Sequence, residues 1–238
     1  MNRNEPVRRA FFRRACYCTL GLAGSTGVLP AFAADGKKSA LTPDEALARL
    51  QKGNAGYLDK PAVSMQDRAR RLEIARGQAP FAVVVGCSDS RVPPEVLFGT
   101  GLGELFTVRN AGNTVDTAAL GTIQYGVAVL GAPLLVVLGH ERCGAVEAAV
   151  AVVEKNATFP GSIGQMVEPI VPAALKARAS GLQGEELLDA AVRETVRRTV
   201  ERLRTSEPLF ADPLRTGKLR VVGARYDLDD GKVDFFMT

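Results

Sequence analysis

The stretch that decides the fold is Phe81-Ala-Val-Val-Val-Gly86 with its continuation Cys87-Ser-Asp-Ser-Arg91. The first part is short, apolar and rich in β-branched residues, which predicts a buried strand. The second part places a cysteine, an acid and an arginine where that strand ends. Open α/β sheets carry their chemistry at the carboxyl ends of their strands. The stretch therefore predicts a parallel sheet with a functional site at its edge.

A second stretch repeats the pattern further along the chain. Leu134-Leu-Val-Val-Leu138 also predicts a buried strand, and it leads into Gly139-His140-Glu-Arg-Cys143-Gly144. If the two strands are parallel neighbours, Cys87, His140 and Cys143 meet at one edge of the sheet. Two thiolates and one imidazole suit zinc, and three protein ligands leave the fourth position open, as in catalytic zinc sites.

The order of the remaining patterns predicts an α/β fold. Strand and helix patterns alternate from residue 81 onward, and Asp229-Asp230-Gly231 is a hairpin signal near the end. We expect a mostly parallel central sheet, with four parallel strands plus one antiparallel edge strand, flanked by helices and preceded by an N-terminal helical arm. The expected strands are 81–86, 104–108, 134–138, 218–224 and 233–237, and the longer helices are 64–76, 115–130, 143–154 and 162–206, the last one broken near residues 180–181. An earlier helix is expected to begin at Thr42-Pro43-Asp44-Glu45, where Thr42 and Glu45 can form a capping box.

The first 33 residues have the features of an export signal. Arg8-Arg9 is followed by aromatic and then weakly apolar residues, and Ala31-Phe32-Ala33 resembles a cleavage site. We interpret residues 1–33 as a twin-arginine-type signal peptide and residues 34–238 as a single domain. This interpretation predicts a periplasmic protein that is exported by the twin-arginine machinery. An ordinary secretory signal or a disordered basic tail is the alternative.

Removing residues 1–33 changes what the net charge of the protein implies. The whole chain has 30 basic and 26 acidic residues, but residues 1–33 hold five arginines and one acid, which leaves 25 of each. The basic balance therefore does not indicate a nucleic-acid partner. No stretch in the body is apolar for about 18 residues, so we expect no stable membrane span. Two of the four cysteines, Cys16 and Cys18, lie in the segment, which leaves Cys87 and Cys143.

The motifs resemble those of the β-class carbonic anhydrases. The resemblance rests on Cys87-Ser-Asp-Ser-Arg91-Val-Pro, on Arg109-Asn110 and on Gly139-His140-x-x-Cys143-Gly144, and with the element order it covers roughly residues 40–238. It implies zinc-dependent, reversible hydration of carbon dioxide to bicarbonate and a proton, by attack of zinc-bound hydroxide. It also implies zinc ligation by Cys87, His140 and Cys143, and a catalytic dyad of Asp89 and Arg91.

The resemblance has further implications for Asp89 and for assembly. If its pairing with Arg91 breaks, Asp89 becomes a conditional fourth metal ligand that closes the site. The family also implies a homodimer or a tetramer. The arginine matching Arg109 lines a regulatory bicarbonate pocket in some members, but that pocket has a tryptophan wall and this chain contains no tryptophan. We therefore do not expect bicarbonate regulation of that kind.

Three alternatives stay open at the level of the sequence. The same scaffold can carry a hydrolase that acts on carbonyl sulfide or carbon disulfide. A non-catalytic zinc protein would use Asp89 as a permanent fourth ligand. In a separate interpretation of these two residues, Asp89 and Arg91 form no more than a loop-closing salt bridge. A dithiol redox protein would join Cys87 and Cys143 in a disulfide. Under every alternative, His140 is the only histidine, so no second imidazole is available to move protons.

Overall fold

A five-stranded sheet is the centre of the fold in the computed structural model, which describes residues 38–60 and 68–238. The strands are β1 (Ala82–Gly86), β2 (Leu105–Arg109), β3 (Leu134–His140), β4 (Arg220–Tyr226) and β5 (Val233–Met237). Their order is β2-β1-β3-β4-β5. The first three pairings are parallel and the pairing of β4 with β5 is antiparallel. The expected α/β fold, with four parallel strands and one antiparallel edge strand, is confirmed.

Helices cover both faces of this sheet. They are α1 (Pro43–Asp59), α2 (Arg68–Ile74), α3 (Pro94–Leu97), α4 (Thr117–Gln124), α5 (Gly144–Lys155), α6 (Ser162–Val167), α7 (Val171–Ala179), α8 (Gly184–Thr205) and α9 (Pro208–Arg215). β1 and β3 are buried along their whole lengths, as their uninterrupted apolar runs predict. In β1, Val84 packs on the face covered by α1, and Val83 and Val85 pack on the face covered by α4 and α8.

The first helix begins where the sequence predicts it. Thr42 and Glu45 form a capping box, in which the Thr42 hydroxyl accepts the backbone N–H of Glu45 and the Glu45 carboxylate accepts that of Thr42. Ala46 and Leu50 are then fully buried against the sheet of the same chain. The expected N-terminal arm is thus realised only in part, because α1 belongs to the core and only α2 lacks buried side chains. Residues 64–67 of the expected second helix lie outside the described residues.

The expected helix at 115–130 differs from the observed one in two respects. It consists of α4 followed by a π-helical turn over Tyr125–Val129. It is also buried on one face only, since Tyr125 is 43% exposed. Gly126 explains the close packing of the turn, because a Cβ there would lie 2.7 Å from Val83 Cγ2. The expected helical region 162–206 is broken at Ser180 and Gly181, as predicted, and α9 was not predicted.

In the part of the chain that the structure describes, none of the helices combines the length and the apolar character that a membrane span requires. The expected export signal at 1–33 lies outside these residues. The boundary between signal and domain therefore stays a prediction.

Candidate metal centre and active site

The sheet register brings the three expected metal ligands together. Gly86 pairs with Leu138, so Cys87 follows the end of β1 beside the end of β3, where His140 lies. Cys143 comes next, immediately before α5. The sulfur atoms of Cys87 and Cys143 are 3.9 Å apart. One donor atom from each of the three residues lies within 4.8 Å of the others.

The histidine has an unsatisfied nitrogen in this cluster. His140 is fully buried, and its Nδ1 lies 2.8 Å from the carbonyl oxygen of Glu141. This contact assigns the proton to Nδ1 and leaves the Nε2 lone pair without a hydrogen-bond partner among the described residues. A buried, unpartnered acceptor is costly, and a metal ion would satisfy it. The two sulfurs and one imidazole nitrogen therefore fit zinc.

Without a bound metal, the pKa values of the two thiols are shifted in opposite directions. Hydrogen bonding with the Cys143 thiol lowers the pKa of Cys87, although burial opposes this shift, and the backbone N–H of Gly112 also donates to the Cys87 sulfur at 3.2 Å. The same thiol pairing and burial raise the pKa of Cys143. A dication bound to both sulfurs would displace the remaining proton, so metal binding here releases protons and strengthens as the pH rises.

Asp89 and Arg91 form a bidentate ion pair beside the cluster. The Asp89 carboxylate accepts from Nε and a terminal nitrogen of Arg91 at 2.9 and 2.7 Å, and from the Arg91 backbone N–H at 2.9 Å. These hydrogen bonds hold the pKa of the Asp89 carboxyl well below its usual range. One carboxylate oxygen lies 3.9 Å from His140 Nε2. Because Asp89 faces Arg91, it does not belong to the three-residue cluster, and its role as a conditional ligand stays a prediction.

Arg109 has a structural role that the sequence did not reveal. Its Nε donates to the Cys87 carbonyl at 2.8 Å, and a terminal nitrogen donates to the Asp89 carbonyl at 2.6 Å. The Ser88 hydroxyl in turn donates to the Arg109 carbonyl at 3.1 Å. Arg109 thus joins both ends of the loop that carries the first cysteine and the acid. The available signal was its place at the end of β2, opposite Gly86.

A cleft leads to this loop from the side of α6. Its volume is about 500 Å³, and its lining includes Ser88, Ala111, Asp116, Gln165 and Met166. The sequence did not reveal the α6 residues, because they lie more than 70 positions after the motif Cys87–Arg91. Gly112 lies next to this cleft with a φ of 67°, and a Cβ there would come within 2.6 Å of Ile170 Cδ1. Only glycine therefore lets this N–H approach the Cys87 sulfur.

Comparisons with known proteins agree with this geometry. A family model described as carbonic anhydrase matches residues 82–233. The chain is 39% identical to a carbonic anhydrase of Mycolicibacterium smegmatis over 193 residues, which cover 81% of this chain and 92% of the relative.

Solved structures agree as well. A Coccomyxa β-carbonic anhydrase in complex with acetazolamide superposes with a TM-score of 0.65 at 27% identity, covering 81% of this chain and 86% of that one. A tetrameric β-carbonic anhydrase from Sordaria macrospora superposes with a TM-score of 0.66 at 24% identity, covering 76% of this chain and 90% of that one, and supports the fold alone. These relatives lend no support to a sulfur-analogue hydrolase or to a non-catalytic zinc protein. The chain belongs to the carbonic anhydrase family, in its β class, and is an enzyme of that family.

Proposed function

We propose that this protein catalyses the reversible hydration of carbon dioxide with a zinc ion held by Cys87, His140 and Cys143. The observation that carries the proposal is the buried sulfur and nitrogen cluster, with its unpartnered His140 Nε2, beside the ionised Asp89 carboxylate. When bound by these residues, zinc would act as a Lewis acid that lowers the pKa of a water molecule to about 7.

The chain's own residues would then orient the reactants. Asp89 is an acceptor beside the cluster, and the bidentate contact with Arg91 keeps its carboxylate ionised and fixed in direction. Arg109 and the Gly112 N–H hold the Cys87 loop in place. This division of labour makes Asp89 and Arg91 the proposed catalytic residues and makes Arg109 a positioning residue.

Proton release must follow a route without a second imidazole, since His140 is the only histidine. Water, buffer and carboxylates are the remaining acceptors. Asp116 lies on the wall of the cleft, where it offers one such carboxylate. We therefore expect the hydration rate to depend on the buffer concentration.

The test is stopped-flow carbon dioxide hydration by the zinc-loaded protein without residues 1–33, from pH 6.5 to 9. Cys143→Ala is the control. Activity that rises with pH and is absent from the control is expected, and the shape of the rise reports whether Asp89 closes the site at low pH. Full zinc occupancy with no hydration at any pH would overturn the proposal. Carbonyl sulfide, assayed in parallel, would then be the next substrate to consider.

We also propose that the enzyme works as a homo-oligomer. The support is the exposed face of α4 and of the π-helical turn that follows it, called here the α4 face, where the uncharged residues Ala118, Gly121, Thr122 and Tyr125 reach solvent in the single chain. Exposed apolar patches of this kind are typical of interfaces. The solved Sordaria macrospora relative is tetrameric, which agrees with a second copy as the occupant of this face.

Export to the periplasm by the twin-arginine route remains a proposal that rests on Arg8-Arg9 and Ala31-Phe32-Ala33. Cell fractionation of the wild type and of a variant with Arg8→Lys and Arg9→Lys tests it. We expect the wild type in the periplasm with Ala34 as its first residue, and the variant in the cytoplasm. An uncleaved wild type in the cytoplasm would contradict the proposal.

A further inference from the structure

Glu141 and Arg142 separate two of the three proposed ligands, and both contact the turn between β4 and β5. The backbone N–H of Glu141 donates to the Tyr226 carbonyl at 2.9 Å. The Glu141 carboxylate accepts the backbone N–H of Leu228 at 3.1 Å. Glu141 is therefore attached to the end of β4 by its backbone and to the following turn by its side chain.

This attachment reaches the imidazole directly. The carbonyl oxygen of Glu141 accepts the hydrogen bond from His140 Nδ1 at 2.8 Å. That bond sets the ring orientation in which Nε2 faces the sulfur atoms. Any contact that fixes the Glu141 peptide therefore also fixes the direction of the His140 lone pair.

Arg142 makes the second connection from an uncommon backbone conformation. Its φ is 49°, a region that non-glycine residues adopt only where their surroundings hold them. Its guanidinium makes a bidentate ion pair with Asp229 in the turn, at 2.9 and 2.6 Å. Because Cys143 is the next residue, the backbone conformation of Arg142 sets the direction in which the Cys143 side chain projects.

Hydrogen bonds to the Asp227 carboxylate hold the β4–β5 turn together. The Asp227 carboxylate accepts the backbone N–H groups of Asp229 and Asp230 at 3.0 and 3.2 Å. Arg225 donates to the same carboxylate at 2.6 Å. A rigid turn can hold the positions of the residues that bind it, whereas a mobile one cannot.

We propose that the β4–β5 turn, residues 227–231, is a positioning element for the metal ligands, acting on His140 through Glu141 and on Cys143 through Arg142. This proposal rests on the proposed zinc site. It makes zinc affinity depend on Asp229, an exposed residue of the turn that does not belong to the ligand cluster. Loss of a group that hydrogen-bonds a metal ligand typically weakens metal binding by about 10- to 100-fold, and the Glu141 peptide is such a group for His140.

The test compares Asp229→Ala with Asp212→Ala in the full zinc enzyme. The two acids are matched, because their side chains are 71% and 69% exposed and each pairs with one arginine, Arg142 or Arg215. Exposed ion pairs contribute little to folding, so neither variant should unfold. Zinc affinity is measured by competition with a chromophoric chelator, and ligand geometry by the visible spectrum of the cobalt(II)-substituted protein.

We expect Asp229→Ala to weaken zinc binding by about tenfold or more and to shift the cobalt bands, with the unfolding midpoint of the metal-free protein unchanged. Asp212→Ala should match the wild type in all three measurements. Glu141→Ala should also weaken zinc binding, and Glu141→Gln, which keeps an acceptor for the Leu228 N–H, should restore most of the affinity.

Zinc affinity within twofold of the wild type and an unchanged cobalt spectrum in Asp229→Ala would overturn the positioning role. A lowered zinc affinity in Asp212→Ala of the same size would do so too. Failure of the proposed function looks different, because the wild type itself would then lack zinc or hydration activity.

Discussion

Arg91 decides, at the scale of single residues, what the Asp89 carboxylate contacts. The side chain of Arg91 is 52% exposed and that of Asp89 is 18% exposed. Exposed ion pairs are usually weak, but this one is bidentate and is supplemented by a backbone N–H from the same arginine. The pair is therefore better suited to fixing a direction than to stabilising the fold.

Replacing Arg91 should impair catalysis and leave the metal in place. Arg91→Met removes both contacts that orient Asp89, so we expect kcat/KM to fall by about tenfold or more. Arg91→Lys should recover only part of the loss, because an ammonium group cannot reproduce the bidentate contact. Stopped-flow hydration with zinc analysis of each variant measures this. A wild-type rate in Arg91→Met would show that the pair only closes the loop.

Local sequence defines the chemistry of the proposed ligands but not every contact around them. Cys87, His140 and Cys143 were predicted because their residue types and strand-end positions suit zinc. The contacts of Arg109 were not predicted, because a long side chain donates to whichever acceptors the tertiary structure places within its reach. Here those acceptors are the Cys87 and Asp89 carbonyls, which lie on the neighbouring strand's loop.

The β4–β5 hairpin carries a charge network at the scale of single elements. Arg225 contacts Glu141, Asp189 and Asp227. Its hydrogen bond to Asp227 lowers the pKa of that carboxyl. Since the pKa in the folded state lies below that in the unfolded state, this pair stabilises the protein above about pH 4, and the contribution is lost as the pH falls through the lowered value.

The hairpin network predicts a pH-dependent effect of Asp227→Asn. At pH 7 the metal-free variant should unfold at a temperature roughly 2–4 °C below the wild type, the shift that about 1 kcal/mol causes in a domain of this size. Below pH 4 the difference should shrink, because the wild type then loses the same charge. Thermal unfolding followed by circular dichroism from pH 3 to 7 measures it. A difference that stays constant with pH would contradict this account.

Elements with strong local signals were predicted better than those shaped by packing. The capping box at Thr42 and Glu45 and the Asp229-Asp230-Gly231 turn carry their own hydrogen-bonding chemistry, so both formed where expected. The π-helical turn at Tyr125–Val129 was not predicted, because helix periodicity does not report how closely Gly126 approaches Val83.

The proposed assembly belongs to the scale of the whole molecule, and Tyr125 is the residue that tests it. It is 43% exposed and its ring packs against that of Phe106, with centroids 6.1 Å apart. We expect the wild type to be a dimer or larger, and Tyr125→Glu to shift it towards the monomer, because a carboxylate buried in an interface is costly. Light scattering after size exclusion measures the mass.

Leu175→Glu is the control for this experiment, since Leu175 is 54% exposed on a different helix, α7. It should leave the mass unchanged. A wild type that is monomeric, or a Tyr125→Glu protein with the wild-type mass, would rule out the α4 face as the interface.

The sequence by itself determined the fold class and the donor atoms. Short apolar runs rich in β-branched residues favour buried strands in a sheet covered on both faces, and parallel strands bring their carboxyl ends to one edge. The tertiary structure alone decided which side chains surround those donors. Arg109, Gly112 and the β4–β5 turn reach the site from strands and loops distant in sequence, and such contacts depend on register and packing, which no local pattern encodes.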